Sequence, residues 1–314
     1  MQSQAKTALF KLATAALPYE EVFVKTDTAD LYCRVMGTGS PLIVVHGGPG
    51  LSMNYLLPGL EELAKDHLVI FYDQRGNGKS TGQINNENMN LEKFAEDLQA
   101  IQNHFNLKKA GFVGHSFGVY LVLKYATEHP DRINKLLLLN SIPISFSENK
   151  STSETKQDPY EAMIDGIIKS DAFKDNNAQG LIKRYKDLFQ YFFFNPELVN
   201  KLNLDKMSAD QVKNSALIHK LFEENFFHQP HDLRNALTKL KDIPTLIVHG
   251  SGHDIPESVA REIHSLIENS VLTILNSGHF PYVEKPNELF ESISKFNEAY
   301  PTKNADQYAS HTTF

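Results

Sequence analysis

Short, unbroken runs of Val, Ile and Leu alternate along this chain with stretches of helical periodicity, and that alternation restricts the folds open to it. Runs at 31–35, 42–46, 68–72, 111–115, 135–140, 245–249 and 271–275 are expected strands. Several lack the polar alternation of a half-solvated strand, so both of their faces should be covered. Helices are expected over 55–65, 91–105, 117–128, 257–268 and 287–298. Strand–helix alternation of this kind predicts an α/β chain with a mostly parallel, doubly wound sheet.

The alternation stops near Ile142 and resumes near Ile243. The stretch between shows no clear strand and reads as helices rich in Phe, Tyr, Lys and Asp. An insertion there leaves the C-terminal edge of the sheet, where open α/β sheets place their ligands. It is therefore expected to cap a site. The predicted organisation is a core over 1–141 and 243–300, a helical cap over 142–242 and a polar tail over 301–314.

Composition narrows the function classes. The chain has 314 residues, 41% hydrophobic and 22% charged, enough to bury a core without covalent staples. Its net charge of -7 argues against nucleic acid as the main partner, since such binders carry a basic face. No apolar run approaches the roughly 18–20 residues of a membrane span. Lys11 interrupts the apolar stretch at 7–17, which reads as a short amphipathic helix or a frayed end rather than a signal peptide. The single cysteine, Cys33, allows no intrachain disulfide and sits in a strand-like run; a cytoplasmic protein with a buried thiol is expected. Oligomeric state leaves no mark in the sequence.

The strongest local pattern is Gly114-His-Ser-Phe-Gly118, which follows an apolar run and precedes a helical one. That is the setting of the nucleophile elbow of α/β-hydrolases, where a sharp strand-to-helix turn lifts a serine hydroxyl above the sheet. The flanking glycines let strand and helix approach closely. A serine needs a base to take its proton, and in this fold the partners follow in the order Ser, acid, His. Asp254 follows the strand at 245–249 and His279 the strand at 271–275, so both fall at the same edge as Ser116. His279 is the expected base and Asp254 the group that orients it. His253 precedes the acid and breaks the order; Asp242 lies at the wrong end of its strand. The pairs His249/His253 and His228/His231 lack the context of a metal motif. Two oxyanion donors are expected: the N–H of Phe117, and one from the loop His46-Gly-Gly-Pro-Gly50, with Gly47 the first choice and Gly48 the second. Asp73-Gln-Arg-Gly-Asn-Gly-Lys-Ser80 has Asp73 where a phosphate-binding loop requires its first Gly, and reads as a structured turn near the site.

Taken together and in order, the His-Gly-Gly-Pro-Gly loop, the Asp-Gln-Arg-Gly turn, the serine elbow and the Asp and His loops resemble the proline iminopeptidases. The resemblance runs from about Tyr19 to Tyr300. It implies the α/β-hydrolase fold with a helical cap, and a cytosolic, cofactor-free serine exopeptidase that removes N-terminal proline. It also implies a cap carboxylate for the free amine of the peptide. Leu221-Phe-Glu-Glu-Asn-Phe-Phe227 is similar to that family's Glu-Asn-His-Tyr-Phe stretch and places Glu223 at the acidic position, with Glu224 and Glu197 as alternates. The elbow reads Gly-His-Ser-Phe-Gly where the family usually has Gly-Gly-Ser-Trp-Gly. An esterase, amidase or thioesterase acting on another small acyl substrate is the other expectation.

Overall fold

The computed structural model of the protein describes residues 17–146, 159–252 and 255–302. The stretch expected as an N-terminal helix and the tail lie almost wholly outside them.

Eight strands form one sheet: β1 (Tyr19–Lys25), β2 (Asp30–Met36), β3 (Ser40–Val45), β4 (His67–Tyr72), β5 (Ala110–His115), β6 (Ile133–Leu139), and, after a small antiparallel pair of β7 (Ser145–Phe146) and β8 (His231–Asp232), β9 (Thr245–Gly250) and β10 (Ser270–Leu275). Their spatial order is β1-β2-β4-β3-β5-β6-β9-β10. The β1–β2 and β2–β4 pairings are antiparallel and the rest parallel.

The unbroken apolar runs are explained by the two-sided core. Ile43, Val45, Ile70, Leu136, Leu138 and Ile247 face one hydrophobic cluster. Their chain neighbours Leu42, Val44, Val69, Phe71, Leu137 and Val248 face the other. Helices Leu91–His104, Phe117–Glu128 and Glu257–Leu266 cover the first face. Pro286–Ala299 and several inserted helices cover the second. Local chemistry starts the helices where the periodicity does: the Asn90 side chain accepts Lys93 N–H, and Ser208 with Gln211 closes a capping box at the start of Ala209–Phe222.

Three expectations change. β1 was not anticipated, because only Val24 of its seven residues is buried; an edge strand in solvent carries Glu20 and Glu21 without penalty. The helix expected over 55–65 is broken into a turn at Met53–Tyr55, a short helix at Leu57–Leu60 and a second tight turn at Glu61–Lys65. The stretch between β6 and β9 is mainly helical, yet it also holds β7 and β8, each too short for sequence periodicity to register.

Candidate active site

Parallel strands deliver their C-terminal ends to one edge. There β3 leads into the 46–50 loop, β5 into Ser116, β9 into Ser251 and Gly252, and β10 into the 276–280 loop. Ser116 has φ 57° and ψ −125°, a backbone conformation that non-glycine residues avoid. Its N–H donates to Leu139 O at 3.0 Å and its carbonyl accepts Val119 N–H at 2.9 Å, which hold the turn. A Cβ on Gly118 would lie 2.3 Å from Val45 O, and one on Gly114 would lie 2.8 Å from Val119 Cα. Glycine is therefore required on both sides of the serine for the helix to sit this close to the strands. Phe117 opens the following helix, so its N–H is one of those a helix leaves without an intrahelical acceptor.

His279 is buried on the loop after β10. Its N–H donates to Phe192 O of the insertion at 2.8 Å, and its ring centroid lies 4.8 Å from that of His115, the residue before Ser116. The expected acid, Asp254, and the rival His253 lie outside the described residues. The structure thus brings Ser116, Phe117, His279 and the 46–50 loop to one edge.

The 46–50 loop is held by its own hydrogen bonds. The Gly47 N–H donates to the Tyr55 hydroxyl at 2.6 Å, so the first-choice donor is already engaged. A Cβ on Gly47 would fall 2.8 Å from Ser116 Cβ, which shows how closely the loop passes the serine. The Gly47 carbonyl is held as well. Gln74 N–H donates to His46 Nε2 at 3.0 Å, which leaves His46 Nδ1–H to donate to Gly47 O at 2.8 Å. Burial pushes the His46 pKa down to about 4, which keeps the ring neutral. The Gly47–Gly48 peptide is trans, so its N–H and C=O point in opposite directions. The Gly48 N–H is therefore aimed away from His46. The Asp73–Ser80 turn supports this arrangement from below. The Gln74 side chain donates to His46 O at 2.6 Å, and the Asp73 carboxylate accepts Met53 N–H at 2.9 Å and Lys79 N–H at 2.8 Å.

The insertion closes over the elbow through aromatic rings. Phe222, Phe226 and Phe227 lie 5.2, 5.9 and 6.1 Å from Phe117, centroid to centroid. Glu223 lies on the same wide turn, Glu223–Phe227, and is only 5% exposed. Both of its carboxylate oxygens accept from Lys220 Nζ at 3.0 Å, and Lys220 also reaches Asp165 at 3.3 Å. Glu197 and Glu224, the alternates, are exposed. Among the described residues one group, Glu161, Glu223 and His228, offers metal-type ligand atoms within 4.8 Å of one another. The Lys220 ammonium already supplies positive charge there. Sequence reasoning missed Tyr55, His115, Gln74 and Lys220. The departure from the usual family elbow at His115 was the one available signal.

No described helix is long and apolar enough to cross a membrane. The sequence model described as alpha/beta hydrolase fold matches residues 40–286. A proline iminopeptidase of Heyndrickxia coagulans is 28% identical over 272 residues, covering 83% of this chain and 91% of the relative. One from Saccharolobus solfataricus is 28% identical over 295 residues, covering 88% and 91%. The crystal structure of an esterase from Rhodococcus sp. ECU1013 superposes with a TM-score of 0.71 at 20% identity, over 90% of this chain and 99% of that one. The resemblance read from the motifs is thus matched by relatives that carry that name, and the chain belongs to the α/β-hydrolase fold family.

Proposed function

We propose that this α/β-hydrolase is a serine aminopeptidase that releases N-terminal proline, or a small apolar residue, from short peptides. Ser116 Oγ attacks the carbonyl of the first residue while His279 takes its proton, and Asp254 holds the imidazole in the tautomer that allows this. The Phe117 and Gly48 N–H groups receive the oxyanion. His279 then protonates the leaving amine, and water hydrolyses the acyl-enzyme by the same route. No cofactor enters.

The observation that carries the substrate class is the buried Glu223 carboxylate on the turn that packs over Phe117. A free α-ammonium group in a partly dry pocket needs a counter-charge. Lys220 demonstrates that Glu223 accepts an ammonium group bidentately at this position. The relatives named proline iminopeptidase point the same way. One observation favours the second reading, an esterase or amidase for an uncharged acyl group. Lys220 already neutralises Glu223, and the wall beside it is aromatic, with Phe146 and Tyr120 packed on Phe226.

The two readings separate in one experiment. Hydrolysis of proline amides with free and blocked amines, and of a simple neutral ester, is compared in wild type, Glu223→Gln and Ser116→Ala. The aminopeptidase reading requires wild type to prefer the free amine. It requires Glu223→Gln to lose roughly 2–5 kcal/mol of kcat/KM on that substrate alone. Equal losses on all substrates, or a preference for blocked amines, replaces it with the esterase reading. Retained turnover in Ser116→Ala removes both.

A further inference from the structure

Four groups lie in one hydrogen-bonded line across the site. Gly47 N–H donates to Tyr55 Oη at 2.6 Å, Tyr55 Oη lies 2.7 Å from His115 Nδ1, and His115 Nε2 lies 2.9 Å from the carbonyl oxygen of His279. The direction of every proton follows. A carbonyl only accepts, so His115 Nε2 carries a hydrogen. In the neutral ring Nδ1 is then an acceptor, the Tyr55 hydroxyl donates to it, and the phenol oxygen is left to accept from Gly47. With a neutral imidazole, this polarity satisfies both ring nitrogens and the Gly47 N–H.

Both side chains are buried, Tyr55 at 2% exposure and His115 at 1%. Phe280 stacks on the His115 ring at 5.6 Å and meets the Tyr55 ring edge-on at 6.2 Å. Water is thus kept from a line that runs from the oxyanion loop, past the residue before the nucleophile, to the backbone of the base. Neither side chain is needed for the proton transfers described above.

We propose that Tyr55 and His115 are positioning residues that set the oxyanion loop and His279 relative to each other across Ser116. The line fixes the two loops as one unit, although residues 47 and 279 belong to opposite parts of the chain. A misplacement of about 1 Å in such a site costs on the order of a hundredfold in rate, so the line acts on chemistry more than on substrate binding. The inference rests on Ser116 being the nucleophile, and not on which substrate is used.

The test is the second-order rate at which a fluorophosphonate probe labels Ser116, since phosphonylation needs the base and the oxyanion donors but no natural substrate. Tyr55→Phe keeps the ring and removes the hydroxyl. His115→Asn keeps an acceptor near Nδ1 and loses the link to His279. Each variant is expected to label at least about tenfold more slowly. The double variant should be no slower than the slower single, because both cut the same line. On a chromogenic ester kcat should fall with KM unchanged. Tyr125→Phe, which removes another buried hydroxyl far from the site, should lower the melting temperature without slowing labelling. Labelling of Tyr55→Phe within about twofold of wild type overturns the proposal, as does a double variant in which the two losses multiply. If His115→Asn does not fold, the labelling rate of Tyr55→Phe decides alone. A wild-type protein that is not labelled at Ser116 overturns both this inference and the reading beneath it.

Discussion

Glu284 accepts the backbone N–H of Phe194 at 2.8 Å, a bond that ties the inserted helices to the core. Its other carboxylate oxygen accepts Gly278 N–H at 2.6 Å, one residue before His279. A single carboxylate thus holds the insertion and the His279 loop together, beside the bond from His279 N–H to Phe192 O.

Replacing Glu284 with Gln should show what that staple contributes. An amide nitrogen cannot accept, so one of the two N–H groups loses its partner at a cost of about 1–3 kcal/mol. Urea unfolding should register that loss, and kcat should fall with it as the His279 loop loosens. A variant as stable and as active as wild type would show that the two bonds contribute nothing.

Gly118→Ala should be poorly tolerated. The new methyl would meet Val45 O at 2.3 Å and His46 O at 2.6 Å, backbone atoms at the end of β3 and the start of the 46–50 loop. Overpacking of this kind costs roughly 1–3 kcal/mol, and here relief means moving the helix away from β3. Calorimetry should show a lower melting temperature, and fluorophosphonate labelling of Ser116 should slow. A normal labelling rate would mean that the elbow is less constrained than the geometry indicates.

Arg75 and Asp97 form a two-point ion pair with both side chains 1% exposed. Asp97→Asn leaves the guanidinium buried with half its partner, and should cost about 3–5 kcal/mol. The neighbouring pair Lys93–Glu96 lies at the surface, so Glu96→Ala should cost less than about 1 kcal/mol. Denaturant midpoints of the two variants provide the comparison, and similar values would contradict it.

His219 offers a pH test. Burial lowers its pKa to about 3, with the charge of Lys220 acting in the same direction. The folded ring therefore stays neutral while the unfolded one takes a proton near pH 6.5. Its contribution to stability is complete above the unfolded pKa and is lost as pH falls toward about 3. His219→Phe has no such proton to bind in the unfolded state. Its stability relative to wild type should rise steadily from pH 7 to pH 4 in urea melts. A constant difference would show that the imidazole is protonated in the fold.

The parallel strands were legible because burial on both faces writes itself as uninterrupted Val, Ile and Leu. β1 was not, because a solvent-facing edge is allowed Glu20 and Glu21. The placement of Ser116, Phe117 and His279 at one sheet edge could be read because each follows a strand end, and strand ends were visible. The engagement of Gly47 N–H was hidden for a different reason. That N–H is claimed by Tyr55, and no local pattern in the sequence shows a helical turn reaching across to His115, 60 residues further along. Contacts between distant segments depend on the assembled core, and the approach of Asp165 to Lys220 was hidden by the same limit.

The backbone at Ser116 has a consequence for how such a protein changes over time. A side chain held at φ 57° and ψ −125° costs of order 1–3 kcal/mol, and glycine would carry almost none of that cost. Ser116→Gly should therefore melt above Ser116→Ala, with the two equally inert. Stability and turnover pull this position in opposite directions. Under the proposed function, a descendant released from hydrolysis would gain stability by replacing the whole side chain with hydrogen, so a serine here serves the proposed chemistry against the preference of the fold.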